Sequence, residues 1–185
     1  MGHGTVGGVP RLLIVADTHV PKRARDLPPA LWAEVDRADV VVHAGDWVDV
    51  ALLDALLERL ARRPGPPGEL VGVFGNNDGA VLRSRLPEVA RAELGGVRLA
   101  VVHETGPAQG RETRADADRR FAGAHVLVFG HSHIPWDTTS PAGLRLLNPG
   151  SPTDRRRQPS CTYLTVEARD GALRDVALHE LPPRA

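Results

Sequence analysis

Five short apolar runs each end in residues able to bind a metal, and they recur at nearly constant spacing. The polar groups are Asp17-Thr18-His19, Gly45-Asp46, Gly75-Asn76, His103 and Gly130-His131-Ser132-His133. Intervals of 29, 30, 27 and 28 residues separate Asp17, Asp46, Asn76, His103 and His131. A strand with its crossover takes about 30 residues, so such a group appears once per structural unit, at the strand's carboxyl end. Open α/β sheets place their ligand sites at that end. In Asp17/His19 and His131/His133 the i, i+2 spacing predicts both side chains on one face of an extended segment. Glycine before Asp46, Asn76 and His131 lets the backbone turn sharply and approach an ion closely.

The elements between these groups set the fold class. Arg11 to Ala16, Asp39 to His43 and Leu70 to Phe74 read as strands, the first two continuously apolar as in strands buried on both faces. Leu31 to Arg37 reads as a helix. Asp49 is placed to cap a second helix, in which Leu52, Leu53, Leu56, Leu57 and Leu60 fall at helical spacing and which the Pro64 to Gly68 segment stops. Later, Val89 to Leu94 and Val97 to His103 flank Gly95-Gly96 as a hairpin. Glu112 to Phe121 reads as a charged surface helix before a strand at His125 to Phe129. Arg145 to Leu147, Thr162 to Ala168 and Ala172 to Leu178 are strand-like, with Asp170-Gly171 as a tight turn. Helices separate strands early and hairpins dominate late. The expectation is an α/β (α+β) domain of two packed β-sheets flanked by helices, not one doubly wound sheet.

Composition limits what such a fold can do. The chain of 185 residues is 42% hydrophobic, enough for one domain, read as 10–181, that buries roughly 70% of its unfolded surface. Residues 1–9 are a glycine-rich arm and 182–185 a frayed tail. Lys+Arg and Asp+Glu both number 23, so no basic field invites a nucleic-acid polymer. Cys161 is the single cysteine, which excludes an internal disulfide framework and a cysteine zinc knuckle. The early apolar run Leu12 to Ala16 is too short for a signal-peptide core or a membrane span, so the expected compartment is the cytoplasm, with no membrane partner. No Walker-type or GxGxxG loop is present. Nothing in the sequence sets the oligomeric state.

In order, the motifs read DxH, GDxxD, GNxD, H, GHxH and then Asn148-Pro149-Gly150-Ser151. This series, from Arg11 to about Ala168, resembles the calcineurin-like metallophosphoesterases, and within them the small bacterial and archaeal branch to which Vps29 is related. The resemblance implies a helix-flanked β-sandwich and two divalent metals. Asp17, His19 and His133 would hold the first metal, Asn76, His103 and His131 the second, and Asp46 would bridge them. Two departures stand out. Glu104 follows His103 where relatives of this branch commonly carry glycine, adding charge beside the second metal. Asn77 stands where many relatives carry histidine or cysteine. An asparagine amide does not titrate, so Asn77 either donates a hydrogen bond to a phosphoryl oxygen or simply shapes its turn.

The donor chemistry agrees: imidazole, carboxylate and amide oxygen suit manganese first, with iron, nickel or zinc as other candidates. The expected activity is hydrolysis of a small phosphorylated substrate, a phosphodiester before a phosphomonoester, by in-line attack of a metal-bridging hydroxide. The rival is a metal-binding interaction scaffold of the Vps29 type with little or no catalysis. Among other residues, Asp49 is expected as a helix cap or as a partner of a ligand histidine, and His43 as a buried imidazole. Arg155, in the Arg155-Arg156-Arg157 run, is a candidate phosphate contact. Trp32 is read as helix packing, while Trp47 and Trp136 are candidates to wall a cleft. Cys161 and His125 are read as structural, and His3 and His179 as surface residues.

Overall fold

Two five-stranded sheets face each other in the computed structural model, which describes residues 9–105 and 116–182. In the first sheet β1 (Arg11–Val15), β2 (Val40–Ala44) and β3 (Glu69–Val73) run parallel. The second contains β4 (Val89–Leu94), β5 (Val97–Val102), β6 (Val126–Val128), β7 (Trp136–Thr139) and β8 (Arg145–Asn148) in the order β4-β5-β6-β8-β7. The first sheet is completed by the antiparallel strands β9 (Cys161–Arg169) and β10 (Ala172–Leu181), giving the order β10-β9-β1-β2-β3.

Strand alternation explains the layers. Leu12, Ile14, Val40 and Val42 point between the sheets against Leu99, Val101, Val126 and Val128. Their neighbours Leu13, Val15 and Val41 point outward, under Leu31 and Val35 of α1 (Pro29–Arg37) and Leu53 and Leu56 of α2 (Val50–Arg62). Both faces of β1 and β2 are therefore buried, as their unbroken apolar runs require. Each such side chain contributes about 1.5–3 kcal/mol of burial. A third cluster joins Ala100, Val102, Leu127 and Leu146 to Ala117 and Phe121 on the outer face of the second sheet.

Several boundaries differ from the sequence expectation. α1 begins at Pro29, because Pro28 takes an extended cap conformation and the fixed φ of proline suits the first helical position. On α2 the buried stripe is Leu52, Leu53, Leu56 and Leu60, while Leu57 is 40% exposed. β10 continues to Leu181 across an irregularity between Arg174 and Ala177. Both hairpin turns hold two consecutive left-handed residues, Gly95-Gly96 and Asp170-Gly171, as two-residue hairpins of the I′ type demand. Hairpins β4–β5, β7–β8 and β9–β10 do fill the later chain, but the second sheet is mixed, since β5, β6 and β8 are parallel. Of the expected helix from Glu112 to Phe121, residues 116–120 are helical and 112–115 lie outside the described residues. Most of the arm and tail, with His3, also lies outside them. Among the described residues no helix is long and apolar enough to cross a membrane.

Candidate metal centre

The loops after β1 and β2, and those after β5 and β6, are joined pairwise through their backbones. Asp17 N donates to Gly45 O (2.9 Å), His19 N to Asp46 O (3.0 Å) and Gly130 N to His103 O (3.1 Å). The expected extended pairs are absent. Asp17, His19, Asp46, His131 and His133 all have positive φ, between 45° and 69°. That conformation costs roughly 1–2 kcal/mol for a residue with a Cβ, and such strain gathers where surrounding structure enforces it, commonly at functional sites. Left-handed turns curl the side chains inward where an extended segment would splay them along its face. Close packing enforces the curl: a Cβ on Gly130 would lie 2.9 Å from Asp17 Oδ2, Ala44 O and Ala16 Cβ, and one on Gly75 would collide with the Asp46 carboxylate.

Asp17, His19 and His133 form the first cluster. All three are buried. His133 Nδ1 donates to the carbonyl of Asp154 (2.6 Å), which leaves Nε2 as a lone-pair donor in the neutral imidazole. That Nε2 lies 3.2 Å from His19 Nε2 and 3.4 Å from Asp17 Oδ1. Both Asp17 carboxylate oxygens are buried with no hydrogen-bond partner. A buried carboxylate without a donor is strongly unfavourable, and a cation at this point satisfies it. Burial lowers the pKa of His19 despite the opposing charges of Asp46 and Asp17, which favours the neutral, ligating form.

The second cluster gathers on Asn76. Its Oδ1 lies 2.9 Å from His103 Nε2 and 3.1 Å from His131 Nδ1. His103 Nδ1 donates to Ala44 O (2.8 Å), so Nε2 faces the site. Asp46 stands between the clusters, with Oδ1 3.4 Å from His103 Nε2 and Oδ2 3.6 Å from His19 Nε2. Burial alone would raise its pKa, but the hydrogen bond and charge of His103 and two bonds from Asn77 hold it well below the usual carboxylate range. His103 answers in kind: burial pulls its pKa down, yet Asp46 and Asp17 raise it overall. All seven expected ligands thus converge, and their oxygen and nitrogen donors are of the kind that binds a divalent metal.

The remaining candidates separate. Asn77 clasps Asp46, its backbone N–H on Oδ1 (2.8 Å) and its amide on Oδ2 (2.6 Å). Glu104 Oε1 reaches within 3.4 Å of His131 Nδ1. Asp49 caps α2 by accepting from Ala51 N (2.9 Å). Arg155 bonds the carbonyl of Gln158, and it is Arg156 that donates to His131 O (3.2 Å). His43 is fully buried, stacked 3.4 Å on Trp47, accepting from Gly45 N and bonded to Thr18 Oγ1. Burial holds its pKa well below normal, with the His103 charge adding to the effect. Trp47 walls no cleft; it is fully buried, with its indole donating to Val73 O (2.9 Å). Trp136 is half exposed on β7. His125 accepts from Arg98 N, as a structural residue would, while His179 is half-buried and stacked on Tyr163.

Sequence reasoning missed the residues that hold this scaffold from outside. Asp78 accepts from the amides of Asp46 (3.1 Å), Val48 (2.7 Å) and Gly75 (2.7 Å), tying the β2 and β3 loops together. Ser151 Oγ donates to Asp17 O (2.7 Å) and Thr153 Oγ1 to Thr18 O (2.5 Å). Asn148 Nδ2 donates to Gly130 O (2.9 Å). The Asn148-Pro149-Gly150-Ser151 motif was visible in the sequence, but its function as a brace for two other loops was not.

Comparison with known proteins agrees with this fold. The family model described as the calcineurin-like phosphoesterase superfamily domain matches residues 11–171. A probable metallophosphoesterase of Methanocaldococcus jannaschii is 32% identical over 149 residues, which is 80% of this chain and 71% of that protein. A Thermotoga maritima protein solved by NMR in solution superposes with TM-score 0.71 at 29% identity, covering 94% of this chain and all of that one. The zinc complex of Vps29 from Entamoeba histolytica shares the fold, with TM-score 0.68 at 22% identity over 92% of this chain and 98% of its own.

Proposed function

This chain belongs to the calcineurin-like phosphoesterase superfamily, and on that footing we propose that it is a two-metal phosphoesterase acting on a small phosphodiester. The observation that carries the reading is Asp17, whose buried and unpaired carboxylate faces two imidazole nitrogens. That arrangement supports a metal site, which a metal-binding scaffold would share, so turnover is what separates the two readings. Asp17, His19 and His133 would hold one cation, Asn76, His103 and His131 the other, and Asp46 both. Bound there, two divalent cations, manganese in first place, supply Lewis-acid polarisation of the phosphoryl group and a nucleophile at neutral pH.

The chain's own groups do the positioning. Asp154 O fixes the His133 tautomer and Ala44 O that of His103, so each presents Nε2. Asn77 holds the Asp46 carboxylate by both oxygens, and the second N–H of its amide could donate to a phosphoryl oxygen. Glu104 places a half-exposed carboxylate beside the second cluster. A fixed negative charge there disfavours the dianion of a monoester more than the single charge of a diester, which supports the diester assignment.

Chelator-stripped protein should hydrolyse bis-p-nitrophenyl phosphate only after Mn²⁺ is restored, and faster than p-nitrophenyl phosphate. Asp17→Asn should lower that turnover at least about 100-fold. Metal uptake with no turnover of either ester would instead support the scaffold reading. A monoester preference would move the substrate class.

A further inference from the structure

Resting on the two-cation reading above, we propose that Glu104 is a fifth protein donor to the second cation, alongside Asn76, His103, His131 and Asp46. Oxygen and nitrogen ligands sit about 2.0–2.2 Å from first-row divalent ions. Two of them on one ion are then roughly 3.0 Å apart at a right angle and about 3.4 Å apart at the tetrahedral angle. The donors of the second cluster obey this rule. Asn76 Oδ1 lies 2.9 Å from His103 Nε2 and 3.1 Å from His131 Nδ1, and His103 Nε2 lies 3.4 Å from Asp46 Oδ1.

Glu104 Oε1, 3.4 Å from His131 Nδ1, fits the same shell. His103, Glu104 and His131 each offer one atom within a 4.8 Å group. A hydrogen-bonded ion pair between Glu104 and His131 would need His131 Nδ1 to carry a proton. Without an ion the Nδ1–H would donate to Asn76 Oδ1, 3.1 Å away, or to Glu104 Oε1; a cation would take the place of that proton and accept lone pairs from all three atoms. The first cluster takes its carboxylates from Asp17 and Asp46; with Glu104 the second also has two. Two anionic oxygens, an amide oxygen and two imidazoles make it a harder site that binds a divalent cation more tightly and leaves few positions open to substrate. Glu104 is 47% exposed, so its replacement leaves the core untouched.

The test is a Mn²⁺ titration of chelator-stripped protein, with free Mn²⁺ read by electron paramagnetic resonance, for wild type, Glu104→Ala, Glu104→Gln and His133→Ala. Wild type should bind two equivalents, and His133→Ala should lose one of them. Glu104→Ala should keep one affinity unchanged and weaken the other at least about tenfold, no less than is lost with residues that merely orient a ligand. Glu104→Gln, which retains a neutral oxygen, should fall between. If both affinities in Glu104→Ala stay within about twofold of wild type, Glu104 is an ordinary surface ion-pair partner and the proposal is overturned. If wild type itself binds fewer than two equivalents, the two-cation reading fails and takes this proposal with it. The His133→Ala titration shows which cluster remains.

Discussion

Both Asp17 oxygens are buried without a hydrogen-bond donor, and the imidazoles of His133 (3.4 Å) and His19 (3.9 Å) stand near Oδ1. The neighbouring His19 gives little relief, because burial lowers its own affinity for a proton. Removing the charge should therefore stabilise the stripped protein while abolishing its response to metal. Asp17→Asn should raise the melting temperature of chelator-treated protein by a few degrees, since about 1 kcal/mol corresponds to roughly 2–4 °C at this chain length. The same variant should show almost none of the Mn²⁺-induced rise seen in wild type. Thermal unfolding with and without Mn²⁺ measures both effects, and a variant less stable than wild type in chelator would contradict the argument. All seven expected ligands could be named at this scale because metal chemistry restricts residue type, and the structure brings their side chains together. The left-handed backbone at Asp17, His19, Asp46, His131 and His133 was not legible, since Asp and His, though enriched among left-handed residues, adopt a positive φ too rarely for the sequence to announce it.

Elements were legible in proportion to how much apolar surface they bury. β1 and β2 are buried on both faces and are visible as unbroken runs. Helix α2 announces itself by its leucine stripe and by Asp49, which caps it. By contrast, α3 (Ala80–Arg85) has six residues and one buried side chain, and β7 is an edge strand with no buried residue. Neither carries a periodic signal, and both went unpredicted. Asp78 and the Ser151–Thr153 segment escaped for a related reason: they act through backbone groups of distant loops, and such pairings leave no mark on local sequence. Asp49 separates a helix cap from a metal ligand experimentally. Asp49→Ala should cost about 1 kcal/mol of unfolding free energy in a urea titration, with metal content per chain unchanged. A lost metal equivalent in that variant would assign Asp49 to the centre instead.

At the scale of the whole molecule, the sandwich supplies stability and the strand ends supply chemistry. Three apolar clusters knit the sheets and helices together, whereas the candidate ligand groups sit in loops beyond the strands. Chelation should accordingly leave both sheets folded, and cations should add stability by mass action, about 2.7 kcal/mol for a single site at one hundred times its dissociation constant. The decisive measurement is turnover of a chromogenic phosphodiester as stripped protein receives Mn²⁺ in known fractions of an equivalent. If Asp46 joins two cations into one working centre, activity should lag through the first equivalent, rise through the second and then level off. Full activity after one equivalent, or none with two bound, would contradict that claim.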